Sequence, residues 1–139
     1  VRNALIIIVL IFLAMQVIQV EHTNPVTSQD KQIQAPPQIM AILKKSCYDC
    51  HSNEVAYPWY SNVAPFSWMI AKHVKNARAS VNFSAWQEYS KQEQEEKLRK
   101  MFRAIYAAMP LGSYLSMHEE AQLSKEERTL VRDWIGYNR

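Results

Sequence analysis

Both cysteines of this chain and one of its four histidines stand within five residues, Cys47-Tyr48-Asp49-Cys50-His51. Two thiols separated by two residues on a helical turn reach the same object, and the imidazole directly behind them reaches it too. C-x-x-C-H is the attachment sequence for c-type haem. Cys47 and Cys50 would each form a thioether with a vinyl group on one edge of a single haem. His51 would lie beneath the ring and bind the iron through Nε2. Its Nδ1 proton then needs a backbone carbonyl to fix the imidazole and raise its basicity. A chain joined to so large an apolar group has to build its core around it.

Rival uses of the motif ask for more than the sequence supplies. A thioredoxin-like C-x-x-C needs a strand before it and a helix after it, and no segment shows sustained period-two alternation. Structural zinc needs four ligands and usually a second paired motif, which is absent, although His73 and His118 are available to complete a set. A disulfide across so short a loop would leave His51 without a purpose.

Residues Ala4 to Val20, ALIIIVLIFLAMQVIQV, carry no charge and follow Arg2. A run of about 17 uncharged residues is at the short end of the membrane-spanning range. No A-x-A-like cleavage site follows, so the expectation is an uncleaved, single transmembrane helix. With positive charge only at its start, the positive-inside rule sends everything beyond Val20 across a bacterial inner membrane into the periplasm. That is the side on which haem is joined to cysteine. The expected domains are an anchor over 1–20, a flexible polar, proline-rich tether over 21–37, and a haem domain over 38–139.

The domain is expected to be all-α. Only two residues of 139 are glycine, which argues against many tight hairpins. Ile39, Ile42 and Leu43 recur at helical spacing and lead into Cys47. A second helix is predicted from Pro65 to about Ser80, with Phe66, Met69, Ile70, His73, Val74 and Ala77 as its apolar stripe. Asn82 or Ser84 can cap a short segment, and a long helix follows over about 91–108 carrying Leu98, Met101, Phe102, Ile105 and Tyr106. Pro110 and Gly112 end it. Ser124 and Glu127 form a capping box for a last helix bearing Leu130, Val131, Trp134 and Ile135. The net charge of +3 comes from interleaved signs, with no basic arm for nucleic acid.

The runs CYDCHSNEVAYPWY, PFSWMIAKHVKNARASVNFSAW and MPLGSYLSMHEEAQLS, followed by a terminal helix with Trp134, resemble the bacterial haem-binding domain family of small, membrane-anchored monohaem c-type cytochromes. The resemblance extends from about Gln38 to Trp134. It implies covalent haem at Cys47 and Cys50, proximal ligation by His51 and a location on the export side. Val55 stands where the family pattern has threonine. Asn76-Ala77 replaces a Glu-Gly pair, removing a glycine that would end the second helix.

For the sixth ligand the chain offers Met69, His73, Met101, Met109, Met117 and His118. Met109 stands at a helix end before Pro110, where a thioether can cross to the opposite haem face, and it matches the family's M-P-L segment. A methionine on such a stripe also serves as ordinary core. His73 ranks second, as a ligand or as a partner of a haem propionate, and His118 third. Tyr57, Trp59, Tyr60 and Trp68 form an aromatic cluster for the core or for covering a haem face. The expected function is single-electron transfer by a carrier or by a haem subunit of a respiratory or photosynthetic membrane complex, with no catalysis of its own. The alternative is a haem-based sensor with an open distal site.

Overall fold

The computed structural model describes residues 1–136, so the last three residues of the expected domain lie outside the described residues. Among the described residues there are seven α-helices joined by short 3-10 turns, and no strand. The expectation of an all-α fold is met.

The first helix, α1 (Arg2–Met15), is apolar and buries no residue. Its 14 residues rise about 21 Å, against a hydrocarbon core of about 30 Å. No described helix is long and apolar enough to cross a membrane, so the spanning helix expected over 4–20 is not found. It stops at Met15, where Gln16 turns to the domain. Gln16 Nε2 donates to the carbonyls of Phe12 (2.9 Å) and Ala64 (3.2 Å), while its Oε1 accepts from the Ala64 amide (2.9 Å). Trp68 Nε1 donates to the Ile18 carbonyl at 2.9 Å and holds the following residues on the same surface.

Residues 21–37 also lie on the domain. Asn24 exchanges two hydrogen bonds with the Val55 backbone (2.9 and 3.1 Å), and Arg78 Nη1 donates to the Thr23 carbonyl at 2.8 Å. Ile33 is 2% exposed within the main core, and its amide donates to the Phe83 carbonyl at 2.8 Å. One isoleucine among polar residues and prolines shows no periodicity, yet burying it is worth about 1.5–3 kcal/mol, enough to hold an otherwise polar segment down.

α2 (Pro37–Ser46) begins with proline in its first turn, where the missing N–H costs nothing, and buries Ile39, Ile42 and Leu43. It leads through Cys47 into the single turn of α3 (Tyr48–His51). α4 (Phe66–Ser80) reaches its predicted end, so Ala77 in the glycine position does not shorten it. Its predicted stripe is only partly inward. Val74 and Ser67 are buried, whereas Phe66 and Met69 remain 53% and 44% exposed. The helix is turned so that its first-turn serine faces the neighbouring turn at 59–62.

Beyond α4, Asn82 Oδ1 accepts from the Ser84 amide at 3.0 Å, as its capping role predicts. α5 (Lys91–Ala107) starts from a Ser90/Glu93 capping box and buries Ile105 alone; it packs against α7. α6 (Gly112–Leu115) follows the break at Pro110. α7 (Lys125–Ile135) starts from the predicted Ser124/Glu127 box and ends at Gly136, whose φ of 85° suits a residue without a Cβ.

Candidate functional site

The C-x-x-C-H residues occupy the corner where α2 gives way to α3. The Cys47 carbonyl accepts from the amides of Cys50 (3.2 Å) and His51 (2.9 Å), a single closed turn that gathers both thiols and the imidazole. Both cysteines are unbridged thiols. Burial pushes the Cys47 thiol up to about 12, and the charge of Cys50 adds to the effect. Burial likewise raises Cys50, helped by the Asp49 carboxylate.

His51 Nδ1 lies 3.1 Å from the Val81 carbonyl. A carbonyl only accepts, so Nδ1 carries the proton and Nε2 is left with its lone pair. Burial lowers the His51 pKa, against the opposing pull of backbone hydrogen bonds at Val81 and Ala77. A neutral imidazole held through Nδ1 is the form that binds a metal.

A cavity of about 140 Å³ opens beside this corner. Cys47 and His51 line it from one side, Met101 and Met109 from another, with Val81, Phe83, Ile105 and Leu123 making it apolar. Ser46 also lines it; its hydroxyl is buried without a hydrogen-bond partner. Such an orphan costs about 1–3 kcal/mol unless something in the cavity satisfies it.

The structure therefore gathers three of the four principal predicted residues, Cys47, His51 and Met109, around one cavity, with Cys50 on the same turn. It does not bring the alternatives there. His73 is half-buried on α4 and outside the cavity lining. His118 is held elsewhere: Nδ1 faces the Glu120 carboxylate at 3.2 Å, so Nε2 accepts from the Tyr60 hydroxyl at 2.9 Å. Its ring also stacks on Tyr114 at 4.4 Å. Of the aromatic cluster, Tyr57 stacks on His22 (4.2 Å), Trp59 is 77% exposed, and Trp68 is bonded to Ile18; none lines the cavity.

Two contributors escaped the sequence. Tyr114 donates to Asp49 Oδ2 at 2.7 Å and so steadies the middle of the motif from α6. Arg78 Nε donates to the carbonyl of Ser52, the residue after His51, at 2.7 Å, while its other nitrogens reach Thr23 and Asn24. Neither pairing leaves a local sequence signal, because the partners are far apart along the chain.

A family model described as a haem-binding domain matches residues 10–136. The chain belongs to the haem-binding domain family. No curated protein and no solved structure matches it. For a haem-binding domain the residues present are suited to the group. The cavity is apolar, its lining includes His51, fixed as a neutral imidazole through Nδ1, and two methionine thioethers, and Ser46, whose buried hydroxyl has no partner, is among its lining residues. At about 140 Å³ the cavity has room for only part of a four-pyrrole ring.

Proposed function

We propose that this haem-binding domain is a single-electron carrier of the c type. Cys47 and Cys50 would hold one haem covalently, and His51 and Met109 would supply the protein donors to its iron. The observation that carries the proposal is the convergence of Cys47, His51 and Met109 on one apolar cavity, with His51 fixed through Nδ1. Each thiol adds across a vinyl double bond, sulfur to one carbon and hydrogen to the other, so the link consumes no oxidant. The bound haem supplies reversible one-electron chemistry between ferrous and ferric iron. The chain's residues supply the rest. His51 donates a lone pair whose direction the Val81 carbonyl sets, and the thioether of Met109 stabilises the ferrous state, raising the potential. Phe83, Ile105 and Leu123 keep water from the iron.

The function read here is electron carriage, without substrate turnover by the chain itself. The donor and acceptor are redox proteins, as separate partners or within a membrane complex. The same reading puts the haem domain on the periplasmic side of a membrane, and what supports the membrane part of it is α1. Its residues from Leu5 to Leu13 are exposed and apolar on every face, and such a surface needs lipid or protein around it.

The test is the absorption spectrum of the full chain, matured with haem in a bacterial periplasm and kept in detergent. A low-spin c-type spectrum with the weak far-red methionine-to-iron band is expected. That band should vanish in Met109→Ala and persist in Met101→Leu. A high-spin spectrum that shifts with carbon monoxide would overturn Met109 ligation and favour a ligand-binding sensor.

A further inference from the structure

The cavity has a polar rim. Cys47, His51, Val81, Phe83, Ile105 and Leu123 make its inner wall, while Ser80, Lys97 and Lys100 are the polar residues where it meets solvent. Lys97 does not wave freely. Its ammonium donates to the Ser80 carbonyl at 2.6 Å and sits 4.2 Å from the centre of the Tyr89 ring, which pins it across the mouth between α5 and the end of α4. Lys100, one turn along α5, pairs with Glu96 at 2.7 Å on an exposed surface, where such a pair is weak. It is therefore easily exchanged for a better anion.

Haem is amphipathic: one edge carries the two vinyl groups and the opposite edge two carboxylates. With the vinyl edge tied to Cys47 and Cys50, the carboxylate edge points away from α3. We propose that Lys97 and Lys100 bind the two haem carboxylates, Lys97 as the pre-positioned cation and Lys100 by release from Glu96. This rests on the haem c reading of the same cavity. A carboxylate at Lys97 receives charge-assisted hydrogen bonds in a half-buried setting, where they are stronger than on open surface. The other ionisable groups near these ammonium groups are Glu93, Glu96 and Arg99 on α5 and Tyr89 before it.

The pairing has a redox consequence. A carboxylate left without its cation places uncompensated negative charge near the iron, favours the ferric state and lowers the potential. Its own pKa rises once the lysine is gone, so the potential becomes pH-dependent, higher in acid where the carboxylate is protonated.

The experiment is a redox titration of the full, haem-loaded chain between pH 5 and pH 9, comparing the parent with Lys97→Met/Lys100→Met and with Lys97→Arg/Lys100→Arg. Covalent haem is measured separately by peroxidase staining of denatured protein. The methionine pair should move the redox equilibrium at least tenfold toward ferric, about 59 mV for one electron, and acquire a pH-dependent slope. The arginine pair should follow the parent. Should the methionine pair fail to mature, the two single methionine variants are read in the same way. Methionine variants with the parent's potential and pH profile would overturn the inference while leaving the haem c reading intact. A parent chain without covalent haem would overturn both.

Discussion

Folding should close the chain to the very reaction its motif requires. The Cys47 thiol is pushed up to about 12 from an ordinary 9.0, chiefly by burial. At pH 8, three units mean about a thousandfold less thiolate than in the unfolded chain. Thiols of higher pKa are better nucleophiles, with a Brønsted slope of about 0.4–0.5, which returns roughly twentyfold over three units. The net expectation is about fiftyfold slower reaction with a small aromatic disulfide. The assay uses haem-free full chain carrying Cys50→Ser, so that Cys47 reacts alone, and compares native protein with protein in urea, helicity being followed by circular dichroism. A native rate within threefold of the unfolded one, with helicity retained, would refute the argument from burial. On the covalent reading proposed above, the corollary is an order of events: thioethers would form on an open chain, and the corner of α2 and α3 would close afterwards around the attached ring. Haem offered to the folded, haem-free protein should stay removable by acidified solvent.

Acid should destabilise the haem-free domain in a way traceable to His51. Its folded pKa lies below the unfolded value, so stability is full above about 6.5 and falls as pH drops, the unfolded chain taking a proton that the folded one refuses; urea titrations at pH 7.5 and pH 5 should show a smaller acid loss in His51→Gln. Ile33→Ala should cost about 2–5 kcal/mol in urea unfolding, and a cost below 0.5 would mean that residues 21–37 contribute nothing to the core. Ser46→Ala should leave haem-free stability unchanged or raise it by up to about 1 kcal/mol, since its hydroxyl has no partner to lose; a loss above 1 would show that it is bonded in solution. Arg78→Met removes three hydrogen bonds, one to the residue after His51, and should lower stability by about 2 kcal/mol, read from the shift in the urea midpoint.

Local signals in the sequence were reliable wherever the physics is local. The Ser124/Glu127 box, the Asn82 cap and the break after Met109 all depend on residues within four positions of one another, and each is where the pattern puts it. What periodicity could not supply was the direction of a stripe. Phe66 and Met69 share helical spacing with Val74, but which side of α4 meets the neighbouring turn is decided by Ser67 and the chain at 59–62. Spacing favours Met109 over Met101 as the distal thioether, yet both line the cavity. The uncharged run over 4–20 reads as one segment because hydropathy ignores hydrogen bonds. Gln16 interrupts it through Ala64, 48 positions away. Arg78, Tyr114 and Ile33 act across similar distances, where one sequence carries no record of the pairing.

The packed course of residues 21–37 sets how far the haem-binding domain can range from α1. Seventeen residues paid out as a free tether would let the domain range about 55 Å from the end of α1, sweeping a hemisphere in search of partners. Asn24, Arg78 and Ile33 reel that length in, and Gln16 and Trp68 bind the end of α1 to the domain itself. The domain thus works like a fixed terminal and not like a buoy on a line. Whatever docks on it has to come to it, and has to approach from a side that α1 leaves open.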